Sequence, residues 1–280
     1  MSDGPIYYFD NNATTRVAPE VVEAMLPFLT EQWGNPSSAY SFGNEVGEAV
    51  DNARAQVAAL INAEPREIIF TSCGTESDNA ALNSALQTQP GKRHVITTAV
   101  EHSANIKYGQ MLEKRGVEVT WIPVDRAGQL DVHEVHEAIR EDTAVVSVMT
   151  ANNETGVIQP IKEMSQSVKD VNPKTLFHSD VVQAVATKKI DFHSLGIDSA
   201  AISGHKIGGP KGIGVMFLKT GYKIPSLLHG GKQELERRAG TVNVSGVAGL
   251  AAALKEQQQN LEEETKLIEN ERKIFETKIK

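Results

Sequence analysis

The chain has 280 residues, of which 40% are hydrophobic and 23% charged, a composition typical of a globular protein with a large core. The formal net charge is -8 and basic residues form no cluster, so nucleic acid is not expected as a partner, and no apolar run is long enough to span a bilayer. The single cysteine, Cys73, excludes an intrachain disulfide and a cysteine metal cluster. The first ten residues resemble no signal or transit segment, so we expect a cytoplasmic protein.

The first part of the chain is predicted to be mainly helical. Residues 6–9 are expected to be extended and to lead into a turn at Asp10, Asn11 and Asn12. Apolar side chains at helical spacing predict one helix over residues 19–30, with Pro19 at its start, and a second over residues 47–62. Residues 34–38 between them have the composition of a loop.

Strands and helices alternate from residue 68 onward. Short apolar runs predict strands over 68–71, 94–98, 117–122, 144–149, 176–179, 200–203 and 213–218, and helical patterns fall at 76–86, 104–115, 132–140 and 161–170. Such alternation predicts an α/β fold with a seven-stranded, mostly parallel sheet and helices on both faces. Ligands of these sheets bind beyond the carboxyl ends of the strands. Residues 247–280 predict one long, increasingly charged helix, either a connector to a further domain or a terminal helix.

The first of these strand ends has the features of a phosphate site. Ser72, Cys73, Gly74 and Thr75 stand between a predicted strand and a predicted helix, where free backbone N–H groups and the helix dipole favour an anion. Gly74 permits close backbone approach and Thr75 adds a hydroxyl, although Thr75 can also serve only as a helix cap. Neither the P-loop pattern nor the GxGxxG fingerprint is present here.

Two further strand ends carry polar side chains with more than one interpretation. His102 can act as an acid or base, stack on an aromatic ligand, or merely cap the helix that follows. Asn152 and Asn153 precede Gly156 in a predicted turn. A side-chain amide there can donate to an anionic ligand oxygen, or the pair can serve the turn alone.

The last strand ends place an acid and an amine at the same predicted edge. Asp180 ends a buried run and needs a cationic partner, either a protonated pyridine nitrogen or an ordinary Arg or Lys. Gln183 can bond a second polar atom of such a ring. Lys206 follows the strand at 200–203, where loss of water would lower its pKa and make it a nucleophile, unless it is simply solvated. Taken together, the strand ends predict a pyridoxal 5′-phosphate (PLP) site.

The chain resembles the cysteine desulfurases of the class V aminotransferase family, most closely the nitrogen-fixation type. The matching segments are FDNNATTRVAPEVVEAMLPFLTEQWGNPSS, FTSCGTESDN, the Glu101–His102 pair, ANNETGVIQP, FHSDVVQAV, SGHKIGGPKGIGV and HGGKQELERRAGT. The resemblance implies the large domain of a fold type I PLP-dependent transferase over residues 16–250. It further implies an N-terminal segment over 1–15 that associates with a small domain, and a helix over 251–280 that leads toward that small C-terminal domain, which we expect to lie largely outside these 280 residues.

The resemblance also implies a role for each site residue. Lys206 matches the lysine that binds PLP covalently, Asp180 the partner of the ring nitrogen, and Gln183 the group facing the phenolic oxygen. His102 matches the histidine that stacks on the ring and moves protons, and Asn153 an asparagine near the cofactor and the substrate carboxylate. The phosphate-binding set matches Gly74, Thr75 and the segment Ser203, Gly204 and His205. Thr241 matches a residue that reaches the phosphate of the neighbouring subunit, which implies a homodimer.

The implied activity is PLP-dependent removal of sulfur from L-cysteine, giving alanine and an enzyme persulfide that supplies an iron–sulfur scaffold or another acceptor protein. In this family the sulfur-accepting cysteine and an arginine that holds the substrate carboxylate belong to the small domain. Cys73 does not match that nucleophile, so we expect the 280-residue chain alone to desulfurate cysteine negligibly. The alternatives are a selenocysteine lyase, a class V aminotransferase, and a non-catalytic PLP-binding protein.

Overall fold

A seven-stranded sheet forms the centre of the computed structural model, which describes residues 7–279. Its strands are β1 (Ile68–Thr71), β2 (His94–Thr98), β3 (Glu118–Ile122), β4 (Thr143–Ser147), β5 (Leu176–Asp180), β6 (Ser199–Ser203) and β7 (Gly214–Leu218). Every residue of these strands is buried except in β3, because helices cover both faces of the sheet. The predicted sheet of seven strands is confirmed.

Strand direction brings the predicted ligand-binding residues to one edge. The order is β1-β7-β6-β5-β4-β2-β3. Strand β2 is parallel to β3 and β4, β4 to β5, and β5 to β6. Strand β7 is antiparallel to both β6 and β1, so β1 points the same way as β6. The carboxyl ends of all strands other than β7 therefore share one edge.

The helices form two layers, one on each face of the sheet. They are α1 (Pro19–Met25), α2 (Pro27–Thr30), α3 (Ser41–Leu60), α4 (Gly74–Thr88), α5 (Ser103–Lys114), α6 (Val132–Ala138), α7 (Ile161–Val171) and α8 (Val244–Ile279). Helices α3, α6, α7 and α8 share a core with Phe177 and Phe217, whereas α4 and α5 pack with Leu176 and Met216. Because successive strand residues point to opposite faces, each strand supplies both cores.

Several predicted bounds were wrong in the first sixty residues. The helix predicted over 19–30 is interrupted at Leu26, because Pro27 has no N–H for the helical ladder and begins α2 instead. Helix α3 begins at Ser41 rather than at residue 47. Its Gly43 is buried, and a Cβ there would lie 2.8 Å from the carbonyl oxygen of Asn35, so the first turn of α3 packs closely on the preceding loop. Of the predicted extended residues, 7–9 belong to no strand, and Ile6 lies outside the described residues.

Helix α8 packs on the body of the protein only in its first half. Leu250, Leu254 and Gln257 are buried, and the described residues that follow Gln257 are half-buried or exposed. The helix is continuous through residue 250, and the predicted domain boundaries at residues 15 and 250 stay predictions. Among residues 7–279, none of the helices has the length and apolar character needed to cross a membrane.

Candidate active site

Side chains that follow the strand ends line a cavity of about 340 Å³ at the carboxyl edge of the sheet. The predicted residues that line it are Gly74, Thr75, His102, Asn153, Asp180, Gln183, Ser203, His205 and Lys206. Asn12, Ala13, Cys73, Asp78, Met149 and Val182 complete the lining. The topology thus brings together side chains that lie up to about two hundred residues apart in the chain.

Lys206 lies in a short 3-10 helix, Gly204–Lys206, directly after β6. Its Nζ donates hydrogen bonds to the carbonyl oxygens of Asn12 and of Ala13, the latter at 3.0 Å. Burial lowers the pKa of this amine, although the nearby carboxylates of Asp10 and Asp180 partly oppose the shift. A lowered pKa leaves a larger fraction of the amine uncharged and nucleophilic near neutral pH.

Asp180 is the last residue of β5 and is only 5% exposed. Its Oδ1 accepts a hydrogen bond of 2.9 Å from the backbone N–H of Val182, and it forms no ion pair with any described residue. Burial, reinforced by the neighbouring Asp78 carboxyl, raises the pKa of Asp180 to about 7. A cation placed beside such an unpaired, buried carboxyl would strongly stabilise its ionised form.

The start of α4 forms a cradle suited to a phosphate. Cys73 precedes the helix but provides no side-chain cap, which leaves the first N–H groups available to a ligand. A Cβ on Gly74 would lie 2.9 Å from Cγ2 of Val182, so only glycine lets the backbone pass this close. The exposed hydroxyl of Thr75 and the side chains of Ser203 and His205 face the same cavity.

His102 serves as the N-cap of α5. Its Nδ1 accepts a hydrogen bond of 3.2 Å from the backbone N–H of Ala104. The neutral ring therefore carries its proton on Nε2. The same His102 ring thus caps α5, as one interpretation of the sequence had it, and also lines the cavity.

The N-terminal turn covers the site, which sequence reasoning did not foresee. The carbonyl oxygen of Asn12 accepts from Gln183 Nε2 at 3.2 Å as well as from Lys206, and Asn12 Nδ2 donates to the carbonyl oxygen of Asn153 at 3.0 Å. The turn is anchored by Thr15, whose N–H and hydroxyl both donate to the carbonyl oxygen of His205. The sequence showed a turn at Asn12 but contained no signal for its distant partners.

The sequence analysis also missed a buried contact between a histidine and an aspartate next to the site. His178 Nε2 and Asp78 Oδ1 are 3.0 Å apart, and both side chains are at most 1% exposed. Burial raises the pKa of Asp78 and lowers that of His178, so burial disfavours the charged form of each side chain. The signals were readable: Asp78 stands four residues after Gly74 on one helix face, and His178 stands two before Asp180 on one strand face.

Two predicted residues do not line the cavity. Gly204 lies between Ser203 and His205, and a Cβ there would lie 3.0 Å from Cγ2 of Ile213. Thr241 lines a separate cavity of about 160 Å³ together with Ser72 and other residues behind the phosphate cradle. Its expected contact with the phosphate of a neighbouring subunit stays a prediction.

The donor set fits PLP. The amine of Lys206 suits its aldehyde, the buried carboxyl of Asp180 suits its basic ring nitrogen, and the uncapped start of α4 suits its phosphate. A mostly parallel sheet with these groups at its carboxyl edge is the architecture of a PLP-dependent transferase.

The chain belongs to the aminotransferase class-V family, whose model matches residues 7–279. The relatives in this family are PLP-dependent. The resemblance noted from the sequence motifs and the fold class it implied are thereby confirmed.

Known relatives are similar to this chain in sequence or structure over most of its length. Cysteine desulfurase 2 of Trichormus variabilis is 52% identical over 248 residues, which are 89% of this chain and 62% of that protein. Among solved structures, a NifS-like protein is 41% identical with a TM-score of 0.94, covering 96% of this chain and 74% of the other. SspA in complex with cysteine is 34% identical with a TM-score of 0.85, covering 89% and 72%. This chain thus spans about 62% of the length of that desulfurase.

Proposed function

We propose that this protein is a cysteine desulfurase that transfers the sulfur of L-cysteine to the thiol of an acceptor cysteine other than Cys73, leaving alanine and a persulfide on that acceptor. The observation that carries the proposal is the presence of Lys206 and Asp180 in the same cavity, with a phosphate cradle beside them. The similarity to a cysteine desulfurase and to a protein solved with cysteine supports this choice of reaction and substrate.

When bound, PLP supplies a ring that draws electrons from the bonds around the substrate Cα. Lys206 Nζ would hold the aldehyde carbon of the cofactor. Once the substrate amine had taken its place there, the released Lys206 amine would accept a proton from the substrate Cα, a role that its lowered pKa favours. Asp180 would favour a proton on the ring nitrogen, because its carboxylate would pair with the resulting cation. Burial disfavours a positive charge on the neighbouring His178, and no described residue forms an ion pair with Asp180, so a cationic ligand would supply the compensating charge.

The remaining side chains of the cavity bind and orient the cofactor and the substrate. His102 presents its ring to the cavity with the proton on Nε2, which suits stacking and proton transfer. We assign Gln183 to the phenolic oxygen and Asn153 to the substrate carboxylate. Gly74, Thr75 and the segment 203–205 hold the phosphate. The support for these roles is their common cavity and their match to the motifs of the family.

We further propose a homodimer, with an iron–sulfur scaffold or another acceptor protein as the recipient of sulfur. Support for the dimer comes from Thr241, which lies outside the cavity of its own chain. It also comes from large apolar side chains that are exposed on α1 and α2, between these helices and in the loop that follows them, which are Val22, Leu26, Leu29, Trp33 and Tyr40. The cytoplasmic location stays a prediction from the sequence.

The cofactor assignment is tested by visible absorption of the purified chain mixed with PLP. We expect a visible band in the wild type that is lost in Lys206→Ala. Lys211→Ala is the matched control, because Lys211 is exposed and lies in the same glycine-rich segment without lining the cavity. A folded wild-type chain that shows no band with excess PLP contradicts the assignment.

The reaction class is tested on the same PLP-loaded chain without requiring turnover. L-Cysteine is expected to change the visible band, whereas amino donors such as L-glutamate are not. A band that is bleached by L-glutamate and restored by a 2-oxo acid would indicate an aminotransferase. A response to L-selenocysteine but not to L-cysteine would indicate a selenocysteine lyase, and no response to any amino acid would indicate a non-catalytic binder.

A further inference from the structure

A largely buried ion pair lies directly behind the phosphate cradle. Glu76 Oε1 accepts a hydrogen bond of 2.9 Å from Arg238 Nε, and Glu76 Oε2 accepts one of 3.2 Å from Arg238 Nη2. The side chains of Glu76 and Arg238 are 11% and 23% exposed. Neither residue lines the cavity that contains Lys206, and the roles proposed above use neither of them.

The position of Glu76 makes its charge matter for a phosphate. It lies in the first turn of α4, directly after Thr75, and its Oε2 also accepts a hydrogen bond of 2.7 Å from the backbone N–H of Ser72. The carboxylate therefore rests against the loop that forms the cradle. A phosphate monoester carries nearly two negative charges at neutral pH, and a like charge within one helical turn opposes its binding.

Glu76 is ionised in this setting. Burial raises its pKa, but the hydrogen bonds from Arg238 and Ser72 lower it by more, so that the pKa lies below the ordinary value. The pair as a whole is neutral because Arg238 is positive. Without Arg238, a buried carboxylate would stand uncompensated at the end of α4 that attracts anions.

We propose that Arg238 is a positioning residue for the phosphate group of the cofactor, which cancels the charge of Glu76 so that the start of α4 stays attractive to an anion. Arg238 lines the small cavity that contains Thr241 but not the one that contains Lys206, so it acts on the phosphate through Glu76 rather than by direct contact. This inference rests on the PLP assignment made above.

A purely structural role for Arg238 predicts a different outcome. Arg238 stands three residues before Thr241, so the ion pair also tethers the loop that carries Thr241. If Arg238 acted only as a tether, the PLP affinity lost in Arg238→Met would not be recovered by Glu76→Gln, because Glu76→Gln restores no contact between the loop and α4. Recovery of PLP affinity on removal of the Glu76 charge therefore distinguishes a charge-cancelling role of Arg238 from a purely structural one.

The test compares PLP with pyridoxal, which has the same ring and aldehyde but no phosphate. Dissociation constants are measured by absorption titration of the cofactor-free chain for the wild type, Arg238→Met, Glu76→Gln and the double variant. Gln at position 76 keeps a side-chain oxygen for the N–H of Ser72, and Met keeps most of the volume of Arg238. Thermal unfolding of each variant is recorded alongside.

We expect Arg238→Met to weaken PLP binding by about tenfold or more while pyridoxal binding changes by less than about twofold. Glu76→Gln in the Arg238→Met background should recover most of the PLP affinity. Equal losses for PLP and pyridoxal, or a double variant that binds PLP no better than Arg238→Met, would overturn the inference. A wild-type chain that binds neither compound would instead refute the cofactor assignment on which the inference rests.

Discussion

Replacing Glu234 with Ala is expected to destabilise the protein severely, because this carboxylate pairs with a buried guanidinium. Glu234 Oε1 and Oε2 each accept a hydrogen bond of 2.8 Å from Arg54, and the two side chains are 3% and 10% exposed. Oε2 also accepts a hydrogen bond of 2.8 Å from the backbone N–H of Phe70 in β1. The substitution leaves a cation and an amide donor buried without these partners.

The magnitude follows from the uncompensated charge. Removing one partner of a buried ion pair costs about 3–5 kcal/mol, and an unsatisfied N–H adds about 1–3 kcal/mol. Arg54 keeps its hydrogen bond to the carbonyl oxygen of Ile68, its stacking on the Phe70 ring and a long contact of 4.0 Å between its Nε and Oδ1 of Asp51, whose exposed carboxylate is well screened by solvent. Arg237, which also donates to Ile68, would repel it more strongly without Glu234 between them. We therefore expect a loss of about 4 kcal/mol or more in the free energy of unfolding.

The assay is urea unfolding of Glu234→Ala, Arg54→Ala and the double variant. Because the double variant buries no unpaired charge, its loss should be smaller than the sum of the single losses by about 2 kcal/mol or more. Glu234→Gln is the matched control, since its side-chain oxygen still accepts from Phe70, and it should lose less than Glu234→Ala. Additive single losses, or a Glu234→Ala chain within about 1 kcal/mol of the wild type, would refute the reasoning.

Three further outcomes are expected. Because burial raises the pKa of Asp180 from 3.8 to about 7, the folded chain retains a proton that the unfolded chain releases, so the stability of the cofactor-free wild type falls as pH rises through this interval. The melting temperature of Asp180→Asn should therefore fall less than that of the wild type between pH 5 and pH 8. Parallel melting-temperature curves for the two proteins over this range would contradict the prediction. His102→Ala should lose about 1 kcal/mol of stability with its cap on Ala104, whereas His102→Asn should lose less; equal losses in thermal unfolding would argue against the cap. Glu236→Gly should gain about 1 kcal/mol, because Glu236 has a left-handed φ of 64° that glycine adopts without strain, and Glu236→Ala should show no such gain.

The sequence by itself determined the class of fold and the strand ends at which chemistry is found. Strands such as β1 and β2 were readable to the residue, because a strand buried on both faces is a short run without polar alternation. Asp180 and Lys206 were identifiable as site candidates, since each follows a buried run and has a side-chain chemistry that burial alters. These are local properties, and they are encoded within a few neighbouring positions.

The tertiary structure alone decided which distant groups meet. The contact of Lys206 with Asn12, the pairing of Arg54 with Glu234 and the bond between Arg238 and Glu76 each join positions far apart in the chain. Such contacts depend on strand order and on the loops that return across the sheet edge, and periodicity carries no record of either. In the two ion pairs, each partner taken singly has the character of an ordinary polar surface residue. Burial of both partners together, which exists only in the folded chain, makes their charges matter.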